Sequence, residues 1–448
     1  MSDLSKYIKQ AVPRYTSYPT APHFTNDCNA DTYAEWLGGL DPREPVSLYI
    51  HVPFCRQLCW YCGCNMKLIS HYAPVSTYVD VLLQELELLS NHLPEKMTIA
   101  HLHWGGGTPT SLEPGDLERV MDSVHSRFKL TANTEIALET DPRTLTDGMI
   151  RTIGRLGFNR VSLGVQEFDP NVQKAIHRIQ PPEMVEAMLQ GFRNEGIRAF
   201  NFDLMYGLPH QTVETLQKTI ARVMEMRPDR ISLFGYAHVP WKAKKQRLLP
   251  EDALPGTADR IAQAQAAALS LVESGYEAIG LDHFALPEDP LAEAARSGTL
   301  RRNFQGYTTD SSETLLGIGV SSIGRTRKGY VQNIMGTSAW IQSVEARILP
   351  VEKGLVFRED DLVRGHIIEQ LMCFGSVDLK AVRTKYRLPE NEFAAEIQVL
   401  AQFEHDGLVK LSQGQVILTD AGRPLMRTVA AVFDAYFTEK ASLHSVAV

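Results

Sequence analysis

Residues 49–65 read YIHVPFCRQLCWYCGCN, and this stretch decides the fold. It begins inside an apolar run, VSLYIH over 46–51, with the length and the β-branched and aromatic content of a buried strand. Pro53 ends that run, and a loop follows with cysteines at positions 55, 59, 62 and 64. Further short apolar runs lie downstream at 98–104 (TIAHLHW), 134–139 (TEIALE), 160–165 (RVSLGV), 199–205 (AFNFDLM) and 230–235 (RISLFG). Amphipathic stretches at 76–89, 115–128, 182–194 and 213–226 separate them and are long enough for right-handed crossover helices. The alternation predicts an α/β fold of six βα units in an open, mainly parallel barrel. The cysteine loop then leaves the C-terminal end of the first strand, where such folds put their chemistry.

The flanks read differently. The first 45 residues contain RYTSYPTAPHF, too irregular for a βα unit, and are expected to form an ordered N-terminal arm lying over the barrel and covering the active site. The run at 277–281 predicts an added strand whose partner stays open. Beyond about residue 350 the pattern becomes helical at 359–372, 379–386 and 390–403. A hairpin with its turn at Gln413 and Gly414 follows. The expected division is thus an arm (1–45), a catalytic domain (46–350) and a mainly helical, winged-helix-like C-terminal domain (351–448). The last lacks a concentrated basic recognition helix, so it is expected to pack on the barrel rather than bind DNA.

Composition narrows the class. The 448 residues are 44% hydrophobic and 22% charged, with a formal net charge of -8, which argues against nucleic acid or an anionic membrane as partner. No apolar run is long enough to span a bilayer, and the first residues lack the order of a signal peptide, so a cytoplasmic protein is expected. Six cysteines are too few for a disulfide scaffold, and the clustering of four of them within one loop suggests metal binding in a reducing compartment.

Soft thiolates on a short loop suit zinc or an iron–sulfur cluster. A structural zinc site usually shows two separated pairs of cysteines, and a ferredoxin shows CxxCxxC with a distant fourth cysteine before proline; neither pattern is present. Cys55, Cys59 and Cys62 instead form CxxxCxxC, the radical S-adenosylmethionine (SAM) signature, in which three thiolates leave one iron of a [4Fe–4S] cube without a protein ligand. Zinc remains the competing reading of the three-cysteine string by itself, and its place after the first strand of a βα series favours the cluster. Cys64 is read as a nearby thiol that is not a ligand, since a fourth would close the open iron. Cys28 and Cys373 are read as buried small hydrophobes.

The other strand ends carry polar groups. GGGTPT over 105–110 follows the second strand, and its glycines allow close backbone approach to a ligand. Glu139 ends the third strand, Gln166 the fourth and Asp203 the fifth, while YAHVP follows the sixth. Groups at successive strand ends converge on one mouth. His51, His103, His238 and His283 lie in or beside apolar runs and are read as core or rim histidines. No arrangement suggests hydrolytic chemistry.

Taken together, RYTSYPTA, YIHVPFCRQLCWYCGCN, LHWGGGTPT, ETDPR, GVQEF, FDLMYGLP, GYAHVP, GLDHFALPED, RNFQGYTT and GIGVSSIG resemble the oxygen-independent coproporphyrinogen III oxidases over nearly the whole chain. The resemblance implies a [4Fe–4S] cluster on Cys55, Cys59 and Cys62 and two SAM molecules side by side. Tyr49, Gly106, Glu139 and Ile323 match contacts of the first SAM. Tyr61, Gly107, Thr108, Gln166, Arg178, Asp203 and Ala237 match contacts of the second. Trp60 and Tyr61 depart from the tyrosine-then-phenylalanine order of some members. The implied reaction converts two propionates of coproporphyrinogen III to vinyl groups, giving protoporphyrinogen IX. Each propionate loses a β-hydrogen atom to a SAM-derived radical, then one electron and carbon dioxide. A radical is needed because that carbon carries no acidic proton.

The same resemblance implies an electron donor such as flavodoxin or ferredoxin, an unknown terminal electron acceptor and a monomeric enzyme. The substrate carries four carboxylates, and Arg14, Arg143, Arg301 and Arg302 are the candidates to meet them. A haem chaperone on the same scaffold is the alternative. CGC ending in Cys64 and the RYTSYPTA arm favour the oxidase, because those chaperones usually have an aromatic residue at that cysteine and lack the arm.

Overall fold

The structure, a computed structural model, describes residues 5–8 and 10–437. The first four residues of the expected arm and the last eleven of the expected C-terminal domain, 438–448, lie outside the described residues.

Six parallel strands form the heart of the sheet: β1 (Val46–Val52), β2 (Ile99–Gly106), β3 (Glu135–Thr140), β4 (Arg160–Gln166), β5 (Ala199–Tyr206) and β6 (Arg230–Gly235). Each pairs with its neighbours in chain order, as right-handed crossovers require. The connecting helices are α1 (Ala73–Asn91), α2 (Pro114–Arg127), α3 (Asp147–Arg155), α4 (Pro182–Asn194) and α5 (Val213–Met226). Local chemistry sets their ends. Thr146 accepts from the Met149 amide at the start of α3, and Thr212 does the same for Thr215 at the start of α5. The strands are apolar on the face the helices cover, where Leu48, Ile50, Leu102, Trp104, Leu138, Val161, Leu163 and Phe202 are all fully buried, while the alternate positions face the barrel interior.

The partner of the run at 277–281 is now plain. It forms β7 (Glu277–Ile279), which pairs with β8 (His283–Ala285), and β8 runs antiparallel to β6. A short hairpin of β9 (Arg301–Asn303) and β10 (Gly306–Thr308) follows. On the other edge, β11 (Leu315–Ile318) lies parallel to β1, and β12 (Ile323–Thr326), β13 (Gly329–Asn333) and β14 (Val351–Val356) continue antiparallel. β14 thus lies beyond residue 350 yet pairs with the large sheet.

After β14 come α6 (Glu359–Phe374), α7 (Leu379–Tyr386) and α8 (Ala394–His405), and an antiparallel sheet of β15 (Ser376–Asp378), β16 (Val409–Ser412) and β17 (Gln415–Leu418). This is the helical, winged arrangement that the sequence predicts. Gln413 and Gly414 have φ of 52° and 88°, the left-handed pair that a two-residue hairpin loop needs. The arm does not simply lie on the barrel. Tyr7, Val12, Tyr15 and Tyr18 are buried in the core of the C-terminal unit, whereas Cys28, Tyr33, Trp36 and Leu37 are buried in the barrel core. The arm therefore joins the two.

No helix among the described residues is long and apolar enough to cross a membrane.

Candidate active site

The cysteine loop leaves β1 at Val52 and is held by backbone contacts. Phe54–Cys55 pairs with Lys67–Leu68, and Gly107 donates its N–H to the Val52 carbonyl at 2.8 Å. Glycine is required here by close approach: a Cβ on Gly107 would stand 2.7 Å from the Phe54 carbonyl oxygen, and one on Gly106, whose φ is +117°, would stand 2.7 Å from the His51 ring.

The three expected cluster ligands are free thiols on this one loop. Arg143 Nη2 donates to Cys59 Sγ at 2.9 Å and Arg178 Nη1 donates to the same sulfur at 3.2 Å. Both arginines are fixed in turn by Asp141, at 2.6 and 3.2 Å. The Cys62 thiol is held down to about 6, chiefly by a hydrogen bond from Cys64. Burial pushes the Cys55 thiol up to about 11. Among the described residues no three His, Cys, Asp or Glu side chains stand close enough to share one metal ion. The donor set fits the cluster: three thiols on one loop, positive charge on one sulfur, and a glycine cradle against the loop. The fully buried His51 Nε2 and Arg178 Nε have no hydrogen-bond partner among the described residues.

A cavity of about 420 Å³ runs through the barrel interior, lined from Glu135, Arg160 and Arg230 at the starts of their strands to His51 and Glu139 near the ends of theirs. Tyr49, Glu139, Asp203 and Ile323, four of the expected SAM contacts, line it. Glu139 accepts from the Gly106 N–H at 3.3 Å and faces His103 Nε2 at 3.2 Å. Asp203 accepts from Ser162 Oγ at 3.2 Å and Asn201 Nδ2 at 2.9 Å, and burial pushes its carboxyl up to about 6. The other expected contacts take different places. Gly106, Gly107 and Thr108 run beneath the loop, where Thr108 Oγ1 is 3.5 Å from Cys55 Sγ. Tyr61, on the cluster loop itself, is half-buried, and its carbonyl and that of Ala237 both accept from Gln246 Nε2. Gln166 sits at a bulge with φ of 66°. Arg178 is engaged by Cys59 and Asp141.

The histidine readings divide. His51 and His103 line the cavity with His283, so all three are rim groups of the site, whereas His238 bonds Tyr236 and Glu251 outside it. Trp60 stacks flat on His177, with ring centroids 5.0 Å apart. Sequence reasoning missed Ser162, Asn201, Phe304 and Gln305, which also line the cavity. The first two stand two residues from the cavity-lining Arg160 and Asp203 on β4 and β5, and that period-two register was the signal available.

Two of the four arginines proposed for substrate carboxylates are corrected. Arg143 holds Cys59 and Asp141, and Arg301 is paired with Glu313 at 3.3 Å and Glu369 at 2.9 Å. An arginine whose charge is already matched by a neighbouring carboxylate has little left for a ligand.

Residues 49–223 match the radical SAM superfamily, and residues 358–425 match the HemN C-terminal domain. The chain is 45% identical over 442 residues to an oxygen-independent coproporphyrinogen III oxidase of Bradyrhizobium diazoefficiens, covering 99% of this chain and 98% of that protein. It is 44% identical over 430 residues to an anaerobic coproporphyrinogen III oxidase of Cereibacter sphaeroides, covering 96% of this chain and 95% of that one. The solved structure of coproporphyrinogen III oxidase (HemN) from Escherichia coli, described as a radical SAM enzyme, superposes with a TM-score of 0.91 at 36% identity. That match covers 96% of this chain and all of the other.

Proposed function

The chain belongs to the oxygen-independent coproporphyrinogen III oxidases of the radical SAM superfamily, and from that premise we propose that the cavity beside the cysteine loop is where it oxidatively decarboxylates two propionates of coproporphyrinogen III to give protoporphyrinogen IX. The observation that supports the assignment is that Cys55, Cys59 and Cys62 sit on the loop leaving β1, the strand whose Tyr49 lines the cavity together with Glu139, Asp203 and Ile323.

Cys55, Cys59 and Cys62 would hold the [4Fe–4S] cluster, which together with SAM supplies the one-electron chemistry that removes a hydrogen atom from an unactivated carbon. The chain's own residues bind, orient and shield. Arg143 and Arg178 neutralise the sulfur of Cys59. Glu139, set between the Gly106 amide and His103, offers a carboxylate to an ammonium group. Tyr49 and Ile323 give apolar surface, and Phe234 and Phe304 exclude water from the reacting carbon. Asp203, oriented by Ser162 and Asn201, presents an acceptor to hydroxyl groups.

Two SAM molecules are part of this proposal: one on Tyr49, Gly106, Glu139 and Ile323, the other on Tyr61, Gly107, Thr108, Gln166, Arg178, Asp203 and Ala237. So are a flavodoxin- or ferredoxin-like electron donor, an external acceptor, a monomeric state and a cytoplasmic site of action. The division into arm, catalytic unit and C-terminal unit is retained with its second boundary moved past β14, to about residue 357. The test is equilibrium binding of SAM to the cluster-loaded protein under anaerobic conditions. Two SAM per chain, one of them lost in Asp203→Asn with the cluster absorbance intact, is the expected result. A single SAM per chain in the wild type contradicts the second site.

A further inference from the structure

A second and larger cavity, about 670 Å³, lies outside the one described above and meets it at Phe234, which lines both. Its walls come from three parts of the fold. The barrel supplies the end of β6 and a helix over Thr257–Glu273; the arm supplies Arg14; the C-terminal unit supplies Asp420, Arg423, Leu425 and Arg427. Much of the surface is apolar, including Leu233, Ile261, Ala264, Leu281 and Phe284. Arg260, Arg302 and Arg427 are set into it, Arg14 and Arg423 stand at its exposed edge, and its carboxylates among the described residues are Asp282 and Asp420.

Positive charge in excess inside an apolar chamber is costly unless an anion answers it. Arg302 and Arg260 are answered poorly among the described residues. Arg302 lies over the Tyr307 ring at 4.3 Å, yet its Nε and Nη1 are buried without a hydrogen-bond partner, and its nearest carboxylate oxygen, on Asp282, is 4.0 Å away. Asp282 is itself taken by His283 at 2.8 Å. Arg260 donates one Nη1 bond to the Tyr236 carbonyl at 2.8 Å, and its Nε is likewise buried and unanswered. Burial and the nearby Arg14 hold the Arg427 guanidinium down to about 10 and push the Arg260 group down as well. These groups repel one another and fold together nonetheless.

We infer that this chamber is the binding site for the porphyrinogen, with Arg260, Arg302, Arg427 and Arg14 receiving its propionate carboxylates while the macrocycle lies on the apolar wall. The assignment rests on the oxidase reading above. It goes beyond that reading in giving the C-terminal unit and the arm a direct part in substrate recognition, and in naming Arg260 and Arg427, which no motif singles out. A tetracarboxylate matches several arginines spread around one apolar cavity, whereas SAM brings a single carboxylate and a positive charge of its own. A propionate that points past Phe234 enters the first cavity, and the others stay on the arginines.

The test titrates the cluster-loaded protein with coproporphyrin III, the stable oxidised form bearing four propionates, and with protoporphyrin IX, which bears two, following porphyrin fluorescence. Arg260→Gln and Arg302→Gln should each raise the Kd for coproporphyrin III about tenfold, as expected for one lost charge-assisted bond, and change the Kd for protoporphyrin IX less. Cluster absorbance, unfolding temperature and SAM stoichiometry should stay at the wild-type level, and Arg260→Lys and Arg302→Lys should recover most of the affinity. Wild-type affinity for coproporphyrin III in both glutamine variants overturns the assignment while leaving the oxidase reading intact. So does a loss of SAM in place of porphyrin, which gives the chamber to the second SAM. A wild-type protein that binds no coproporphyrin III overturns the oxidase reading and this assignment together.

Discussion

Cys59 is the cysteine whose surroundings say most, because two arginines donate to its sulfur and a buried aspartate, Asp141, holds both in place. Replacing any of Cys55, Cys59 or Cys62 by serine should abolish the 400 nm region absorbance of the reconstituted cluster and product formation together. Cys64→Ser should keep both, and loss of the cluster in that variant would move Cys64 into the ligand set. A different buried group reports on stability. Glu85 is fully buried, accepts from the Gly319 amide, Asn333 Nδ2 and Trp340 Nε1, and has its carboxyl pushed up to about 7 by burial. Its folded value lies above its unfolded one, so its contribution is fully present below about pH 4.5 and is lost as pH rises through 7. Relative to Glu85→Gln, the wild type should lose roughly 3 kcal/mol between pH 4.5 and 8, read from denaturant midpoints. Parallel profiles for the two proteins would contradict this. The spacing of the cysteines was legible residue by residue. The engagement of Arg143 with Cys59 was not, since the two stand far apart in the chain and nothing local couples them.

At the scale of elements, the strands were the most legible part of the chain. Each strand carries apolar residues on the face that the helices cover, and the runs at 160–165 and 230–235 coincide closely with β4 and β6. α3 went unread because its nine residues give only two turns of periodicity, and β14 because a short edge strand with two charged residues in VEKGLV has no apolar signature. The start of α8 shifted to Ala394 because Phe393 takes a φ of 69°, which no helix interior allows. Loop and sheet are coupled at Gly107, so Gly107→Ala should displace Phe54 and cost about 1–3 kcal/mol, with a lower cluster content after reconstitution. Full iron occupancy in that variant would show that the loop yields without moving the ligands.

Over the whole molecule, the arm works as a clasp between the barrel and the C-terminal unit. Tyr15 donates to Asp434 at 3.0 Å in a buried setting, Tyr7 donates to Asp406 at 2.6 Å, and Thr25 pairs its backbone with Gly354 of β14. Tyr15→Phe should lower stability by about 1–3 kcal/mol through the buried acceptor it leaves short, while cluster absorbance stays unchanged. The sequence made the arm visible as irregular Tyr- and Pro-rich chain, yet its partner depends on contacts hundreds of residues away. The two halves of the account, a thiolate loop that holds the cluster and a neighbouring cavity that takes a porphyrinogen, meet in a single reaction. The most direct measurement is an anaerobic assay of the reconstituted protein with reductant, SAM, coproporphyrinogen III and a cell extract as acceptor source, quantifying protoporphyrinogen IX and 5′-deoxyadenosine together in wild type and Cys59→Ser. Both products are expected in the wild type, dependent on SAM, and neither in the variant. Deoxyadenosine without protoporphyrinogen would move the substrate assignment, and tight haem binding with no turnover would give the scaffold to a chaperone.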